Sequence, residues 1–176
     1  AFCFITAMSL GGIQSFGPWA LVELYGVPVT LATSSITAYM VASAGGMIAG
    51  GFLAARTSHH ERIIAGAFAV AGALCMLVAS GTVSPATTIL LLALIGFGSG
   101  IAGPSRDLLV RAAAPRGATG RVYGVVYSGL DVGMSIAPLM FGAMMDGGHP
   151  GWVFVGIGLF QALALFTALG LGGSTQ

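Results

Sequence analysis

The chain has 176 residues, of which 56% are hydrophobic and only 6% are charged, and its formal net charge is +1. Soluble domains carry roughly 25% charged residues, so this composition excludes an ordinary soluble domain and indicates an integral membrane protein. Nucleic-acid binding is not expected, because the few basic residues form short clusters without interleaved aromatic residues.

Six apolar segments of about 20 residues predict helices that cross a hydrocarbon core of roughly 30 Å. Backbone groups in lipid must bond within the span, and the alternation typical of membrane strands is absent, so the predicted fold is all-α. Breaks rich in Gly and Pro separate the segments. We predict a single polytopic bundle over residues 1–176, with transmembrane helices at 2–24, 29–55, 63–80, 87–112, 122–145 and 152–171.

The basic residues predict the orientation of this bundle. All six are arginines, and they lie in or beside the loops that follow spans 2 and 4. Cytoplasmic loops retain Arg and Lys, so we expect both chain ends in the cytoplasm of a bacterial cell, with the bundle in its inner membrane. Because the chain begins with Ala, we also expect residues upstream of it. The arginines are Arg56, Arg62, Arg106, Arg111, Arg116 and Arg121.

Spans 1 and 2 carry polar side chains within their apolar sequence, whereas spans 3 and 6 have almost none. Most Ser and Thr hydroxyls are expected to bond a carbonyl of their own helix. Spans 1, 2 and 5 therefore form the predicted wall of a substrate cavity, to which span 4 contributes. Pro18, Pro104 and Pro138 are expected to kink spans 1, 4 and 5.

Span 5 has the most informative pattern, because Tyr123, Tyr127, Asp131 and Ser135 recur every four residues and share one stripe. Asp131 lies ten residues beyond Arg121, or about 15 Å along the helix, near the middle of the bilayer. An ionisable residue there costs roughly 2.5–3.5 kcal/mol on insertion scales, so it should face a cavity or a partner. The predicted cavity-lining residues are Gln14, Trp19, Tyr39, Tyr127, Asp131 and Ser135.

Glycine patterns predict how the helices pack. GxxxG occurs at Gly46–Gly50, Gly96–Gly100 and Gly129–Gly133, and small residues in lipid let helix backbones approach closely. The pattern G-x4-G-P occurs in span 1 from Gly12 and in span 4 from Gly98, 86 residues later. If each unit has three spans, an odd number, the second unit crosses the membrane in the opposite direction to the first. The result would be a three-plus-three inverted repeat. Chance recurrence in a Gly-rich chain is the alternative.

The loop after span 2 resembles the signature of the major facilitator superfamily, roughly GxLADRxGRRxxL, which that family has after the second helix of a six-helix half. The matching residues are Gly51, Leu53, Ala54 and Arg56, whereas Ala55, Ser58 and His59-His60 depart from it. The resemblance implies the C-terminal half of a twelve-helix transporter. Gly133 to Gly142 is similar to a pattern of proton-driven drug antiporters, and Gly103 to Gly124 is similar to the equivalent hairpin of fosmidomycin-resistance-type exporters.

This resemblance implies a secondary transporter in which two six-helix bundles rock around a substrate site. We expect proton-coupled export or uptake of a small organic molecule, with Asp131 binding the proton because burial favours a neutral carboxyl group. We also expect Arg56 to pair with Asp107 as a cytoplasmic latch, and the alternative for the arginines is a topological and lipid-headgroup role. The residues assigned to the loop signature and latch are Gly51, Arg56, Arg62, Asp107 and Arg111.

The expected partners are the lipid bilayer, the substrate, protons and a second six-helix bundle, either upstream in the same chain or in a partner subunit. No cofactor or metal is expected. An intramembrane enzyme would need a nucleophile and base or a metal site at depth, but His59, His60 and His149 lie in predicted loops and no G-x-S-x-G occurs. A six-helix channel, or a half-size transporter acting as a dimer, is the alternative that the sequence leaves open.

Overall fold

A computed structural model of the chain describes residues 2–57, 59–113 and 119–173, and the regular structure within these ranges is entirely helical. The helices are α1 Phe2–Tyr25, α2 Val29–Arg56, α3 His60–Ala79, α4 Pro85–Ala113, α5 Thr119–Asp146 and α6 Pro150–Gly173. The six predicted helices are therefore confirmed, and their boundaries differ from the predicted ones by at most three residues.

The tight turns at one end of the bundle depend on glycine. Gly26, Gly81 and Gly148 have φ angles of 62°, 68° and 72°, a left-handed conformation that a Cβ atom disfavours. They follow α1, α3 and α5, so three of the helix connections reverse the chain within a few residues at this end.

Five helices, α2 to α6, are long and apolar enough to cross a membrane. This confirms an integral membrane protein with several apolar helices. Helix α1 has 24 residues, enough for a span, but Gln14, Pro18 and Glu23 lower its mean hydropathy. The first span therefore stays a prediction.

Helices α2 and α4 pack along a seam of glycines. An added Cβ at Gly50 would lie 2.5 Å from the carbonyl oxygen of Ile101, and one at Gly46 would come even closer to the carbonyl of Phe97. Gly100 faces the carbonyl of Ser43 in the same way. The close contact predicted from these GxxxG patterns is confirmed. Because the residue numbers of the paired positions increase in the same direction along both helices, α2 and α4 are parallel.

Helices α1 and α5 form a second parallel pair. An added Cβ at Gly133 would lie 2.7 Å from Cβ of Ala7, and one at Gly11 would lie 2.7 Å from Cβ of Ala137. Helix α3 packs on α4 and α6, and α6 packs on α1. The closely packed helix pairs are thus α2–α4, α1–α5, α3–α4, α3–α6 and α1–α6. The same pairs result when α1 is exchanged with α4, α2 with α5, and α3 with α6.

Candidate substrate and coupling site

The polar stripe of α5 lies on a face of the helix that no other described helix covers. Gly133 and Ala137 face α1, whereas Asp131 and Ser135 are exposed. Tyr127 is 47% exposed, and its ring stacks on that of Tyr123 with the centroids 5.9 Å apart. No ion pair to the Asp131 carboxylate occurs within the described ranges. An acidic group therefore lies midway along an apolar helix and is open to whatever covers this face.

Several exposed Ser and Thr hydroxyl groups of α2 and α5 are hydrogen-bonded within their own helices. Thr33, Ser34 and Thr37 of α2 donate to carbonyls four residues earlier at 2.8–3.1 Å. Ser135 donates to the carbonyl of Asp131 at 2.8 Å. The expectation that these hydroxyl groups bond carbonyls of their own helix is therefore confirmed. On this face, the Asp131 carboxylate and the Tyr127 hydroxyl have hydrogen-bonding capacity that the described residues do not use.

Tyr39 differs from its predicted position on the cavity wall. It is only 2% exposed, and its carbonyl lies against Gly96 of α4. Tyr39 precedes Gly46 by seven residues, or two helical turns, so both occupy the α4-facing side of α2. The tyrosine is therefore part of the α2–α4 seam and does not join the exposed stripe.

Gln14 and Trp19 are exposed on α1, and Trp19 reaches 56% exposure. The pairing of Ala7 with Gly133 and of Gly11 with Ala137 puts Gln14 level with Met140. Met140 lies nine residues beyond Asp131, or about 13 Å further along the helix. The predicted lining residues therefore occupy two levels, one around Asp131 and one nearer the glycine turns.

The arginines lie together at the other end of the bundle, which we call the arginine end. It is defined by Arg56 at the end of α2, Arg62 in α3, Arg106 and Arg111 in α4, and Arg121 in α5. Arg116 lies outside the described residues. Gly51, the first matched residue of the loop signature, is half-buried near the end of α2, and an added Cβ there would have nothing within 4 Å.

Asp107 is bonded to its neighbour Arg106 in this structure, with Nη2 and Nε both 3.1 Å from Oδ1. The α2–α4 register puts Arg56 opposite residues 107–113 of α4, because Gly46 faces Phe97, 51 residues later, and Ser43 faces Gly100, 57 residues later. The predicted latch partners thus lie near the same end of two adjacent parallel helices, and the ion pair of Asp107 is made within α4.

A family model for the Major Facilitator Superfamily matches residues 1–172. The chain belongs to the major facilitator superfamily. Members of this superfamily are membrane transporters and not enzymes, so the chain is a transporter protein that contacts the lipid bilayer and a small-molecule substrate. No curated protein matches the chain.

Three prolines interrupt the backbone bonding of this superfamily member without ending its helices. Helices α1, α4 and α5 continue through Pro18, Pro104 and Pro138. Each proline lacks an N–H group, so one carbonyl a turn earlier loses its intrahelical donor. The predicted kinks at these positions stay predictions.

A cavity of about 240 Å³ opens beside the α5–α6 turn and is distinct from the predicted site. It is lined by Ala143, Met144, Gly147, His149 and Trp152. Ala143 lies twelve residues beyond Asp131, or about 18 Å along α5. Within the described residues, no group of three or more His, Cys, Asp or Glu side chains is placed to hold a metal ion.

One buried polar contact was not predicted from the sequence. The thiol of Cys75 on α3 donates to Oε1 of Gln161 on α6 across 4.0 Å, and both residues are almost fully buried. The backbones are close here, because an added Cβ at Gly158 would lie 3.3 Å from the carbonyl of Gly72. A lone Gln in an otherwise apolar span was the available signal, since such a side chain needs a partner inside the protein.

Proposed function

We propose that the chain is the C-terminal six-helix half of a twelve-helix secondary transporter that moves a small organic molecule by alternating access. Membership in the superfamily supports transport. The resemblance of the loop after α2 supports the assignment to one half, and the similarity of α5 to drug antiporters favours proton-driven efflux.

The observation that carries this proposal is the exposed position of Asp131. Helices α2 and α5 are the least buried of the five apolar helices, and their open sides carry polar groups. A carboxylate facing lipid at this depth is unfavourable by roughly 2.5–3.5 kcal/mol. A second six-helix bundle across a water-filled cavity would remove that cost and complete the substrate site.

The helix packing supports an inverted repeat of α1–α3 and α4–α6. The α1–α5 pair corresponds to α4–α2 under this exchange, and both pairs are parallel and close at glycines. In transporters built this way, the substrate and coupling sites lie near the midplane. Asp131 is near the middle of α5, which fits that position.

In the proposed cycle Asp131 binds a proton from one side and releases it to the other as the bundles rock. Tyr127 and Ser135 flank the carboxylate and complete this level of the cavity. The arginine end lies on the cytoplasmic side of a bacterial inner membrane, because cytoplasmic loops retain basic residues. In one state of the cycle, Arg56 replaces Arg106 as the ion-pair partner of Asp107 and so holds α2 against α4 at this end.

The test is transport driven by a pH gradient, measured in proteoliposomes that contain the full-length gene product and a panel of small organic cations and neutral amphiphiles. Asp131→Asn should abolish gradient-driven accumulation and preserve exchange of substrate between the two sides. Asp146→Asn is the matched control, because Asp146 is also an exposed acid on α5 but lies at its end. Gradient dependence that is unchanged in Asp131→Asn would contradict the coupling role.

A six-helix channel or a half-size transporter acting as a dimer is the second candidate, because a second copy could also cover the polar face. The intact mass of the native gene product separates the two. A mass near twice the 17.6 kDa of this chain supports a covalently attached second bundle. A mass near 17.6 kDa would favour the dimer or the channel.

A further inference from the structure

The cavity beside the α5–α6 turn has an aromatic corner. It is lined by Ala143, Met144, Gly147, His149 and Trp152. The imidazole ring of His149 and the indole ring of Trp152 stand at right angles, with an interplanar angle of 89° and ring centroids 6.4 Å apart. Both side chains are exposed, and Trp152 reaches 60% exposure. A ligand that approaches from outside the bundle can therefore contact both rings.

The size and the lining of this cavity limit what it can bind. Its volume of about 240 Å³ lies below the roughly 300–1,000 Å³ of sites for drug-sized ligands. Apart from the two rings, the lining consists of the apolar residues Ala143 and Met144 and the turn residue Gly147. A small group with a partly apolar surface fits these walls better than a strongly hydrated ion does.

The backbone of the turn does not favour an anion. Anion sites at turns and helix starts depend on free backbone N–H groups. The N–H groups of residues 147–149 and of Trp152 already donate to carbonyls of α5 or of the turn, at 2.9–3.3 Å. These four donors are therefore not available to a ligand.

The charges at this end of the bundle favour a cation. We call it the glycine-turn end, because it carries the turns at Gly26, Gly81 and Gly148. The three turns contain no Lys or Arg, whereas Glu23 and Asp146 are exposed acids beside them. Asp146 directly precedes Gly147 of the cavity lining. The negative end of the α5 dipole and the positive end of the α6 dipole meet here and largely cancel, so the carboxylates decide the sign.

We propose that the corner between His149 and Trp152 binds the alkylammonium group of a small organic cation. Such a group combines apolar carbon atoms with a positive charge, which the faces of aromatic rings attract, and Trp attracts it most strongly. Asp146 adds attraction from the adjacent position of the turn. The group belongs either to a free ion or to the headgroup of a phospholipid at the membrane surface. This site is separate from Asp131 and does not depend on the proposed transport cycle.

The test is NMR of the full-length gene product with ¹⁵N-labelled tryptophan, in nanodiscs of phosphatidylglycerol, which has no ammonium group. The indole signal that is lost in Trp152→Phe identifies Trp152. Choline chloride then replaces sodium chloride at constant total chloride. The Trp152 signal should shift and saturate with choline. It should not saturate with 3,3-dimethylbutan-1-ol, which has the shape of choline without its charge. A Trp that only anchors its helix at the membrane surface would not separate the two compounds.

Three kinds of variant locate the effect. His149→Leu removes one wall of the corner and should weaken choline binding about two- to fivefold. Asp146→Asn should weaken it about twofold at low ionic strength and less at high salt, because exposed charges are screened. Glu61→Gln is the matched control for Asp146, since Glu61 lies at the arginine end. Asp131→Asn should also leave the titration unchanged, because Asp131 is about 18 Å away along α5.

The lipid distinguishes the two sources of the ligand. In nanodiscs that contain phosphatidylethanolamine or phosphatidylcholine, headgroups that occupy the corner should shift the Trp152 signal before choline is added and weaken the choline titration severalfold. A titration that is the same in all three lipids would assign the corner to free ions.

A Trp152 signal that does not respond to choline, or that responds equally to the uncharged isostere, would overturn the proposal. So would a choline titration that neither His149→Leu nor Asp146→Asn changes. The measurement needs no transport, so its failure would leave the proposed function standing. A loss of choline binding in Asp131→Asn would instead assign the signal to the transport site and contradict a separate corner site.

Discussion

The α2–α4 seam and the exposed face of α5 use their residues in opposite ways. The seam contains Gly46, Gly50, Gly96 and Gly100, whose missing side chains let two backbones meet. The face of α5 carries Tyr127 and Asp131, and the described residues leave it uncovered. In lipid, helices gain little from burying apolar side chains, so close packing at small residues stabilises the fold.

The difference predicts that stability and transport are separable in this chain. Substitutions in the seam should unfold the bundle whatever their polarity, because they introduce volume. Substitutions on the α5 face should alter transport with little effect on folding. Each prediction below tests one side of this comparison.

The largest effect is expected for Gly46→Ala. The added methyl group would overlap the carbonyl of Phe97, and a backbone atom cannot move aside as a side-chain tip can. Overpacking of this kind typically costs about 1–3 kcal/mol, and the upper part of this range is expected where the neighbour is backbone. The measurement is thermal unfolding in detergent, with Gly45→Ala as the matched control because an added Cβ there has nothing within 4 Å. Equal unfolding temperatures for the two variants would contradict the seam.

The helices and the exposed stripe of Asp131 could be predicted from the sequence, whereas the buried position of Tyr39 was missed. The helices follow from apolar runs and glycine breaks, and the exposed stripe of Asp131 follows from a four-residue repeat. Tyr39 was placed wrongly because α2 has hydroxyl groups on several sides, so its polar residues do not define one face. The two-turn spacing from Tyr39 to Gly46 was the better signal, since the GxxxG pattern marks the buried side.

Other features depend on the register between helices, which a single sequence does not fix. Cys75 and Gln161 are 86 residues apart, and the close contact of α3 with α6 at Gly72 and Gly158 brings them together. The two levels of the predicted cavity likewise depend on the pairing of α1 with α5.

The next effect concerns the latch at the arginine end, where the seam emerges from the bundle. Arg56→Asp or Asp107→Arg alone should slow transport, and the double exchange should restore part of it because opposite charges are again present at the adjacent ends of α2 and α4. An exposed ion pair contributes about 0.2–1 kcal/mol, so a change of up to about fivefold in rate is expected. Initial transport rates of the three variants test this. A double exchange that restores no activity would count against the latch.

A smaller effect is expected for Gln161→Leu, which removes the buried contact with Cys75 while keeping similar volume. Hydrogen bonds between membrane helices contribute about 0.6 kcal/mol on average. The unfolding temperature should therefore fall only slightly, and Cys75→Ala together with Gln161→Leu should be less harmful than the sum of the single changes. Strict additivity of the two substitutions in thermal unfolding would show that the thiol and the amide do not interact.

The smallest effect on stability is expected for Asp131→Asn, the substitution that should abolish gradient-driven transport. Its carboxylate has no ion-pair partner in the described chain, so removing the charge breaks no such contact that holds this bundle together. The unfolding temperature should stay within the scatter of the unmodified protein, or rise, because an amide is less costly than a carboxylate at the middle of a bilayer. A marked fall would mean that Asp131 holds a structural contact with the covering bundle. The polar face would then contribute to folding, as the glycine seam does, and the separation of stability from transport would be lost.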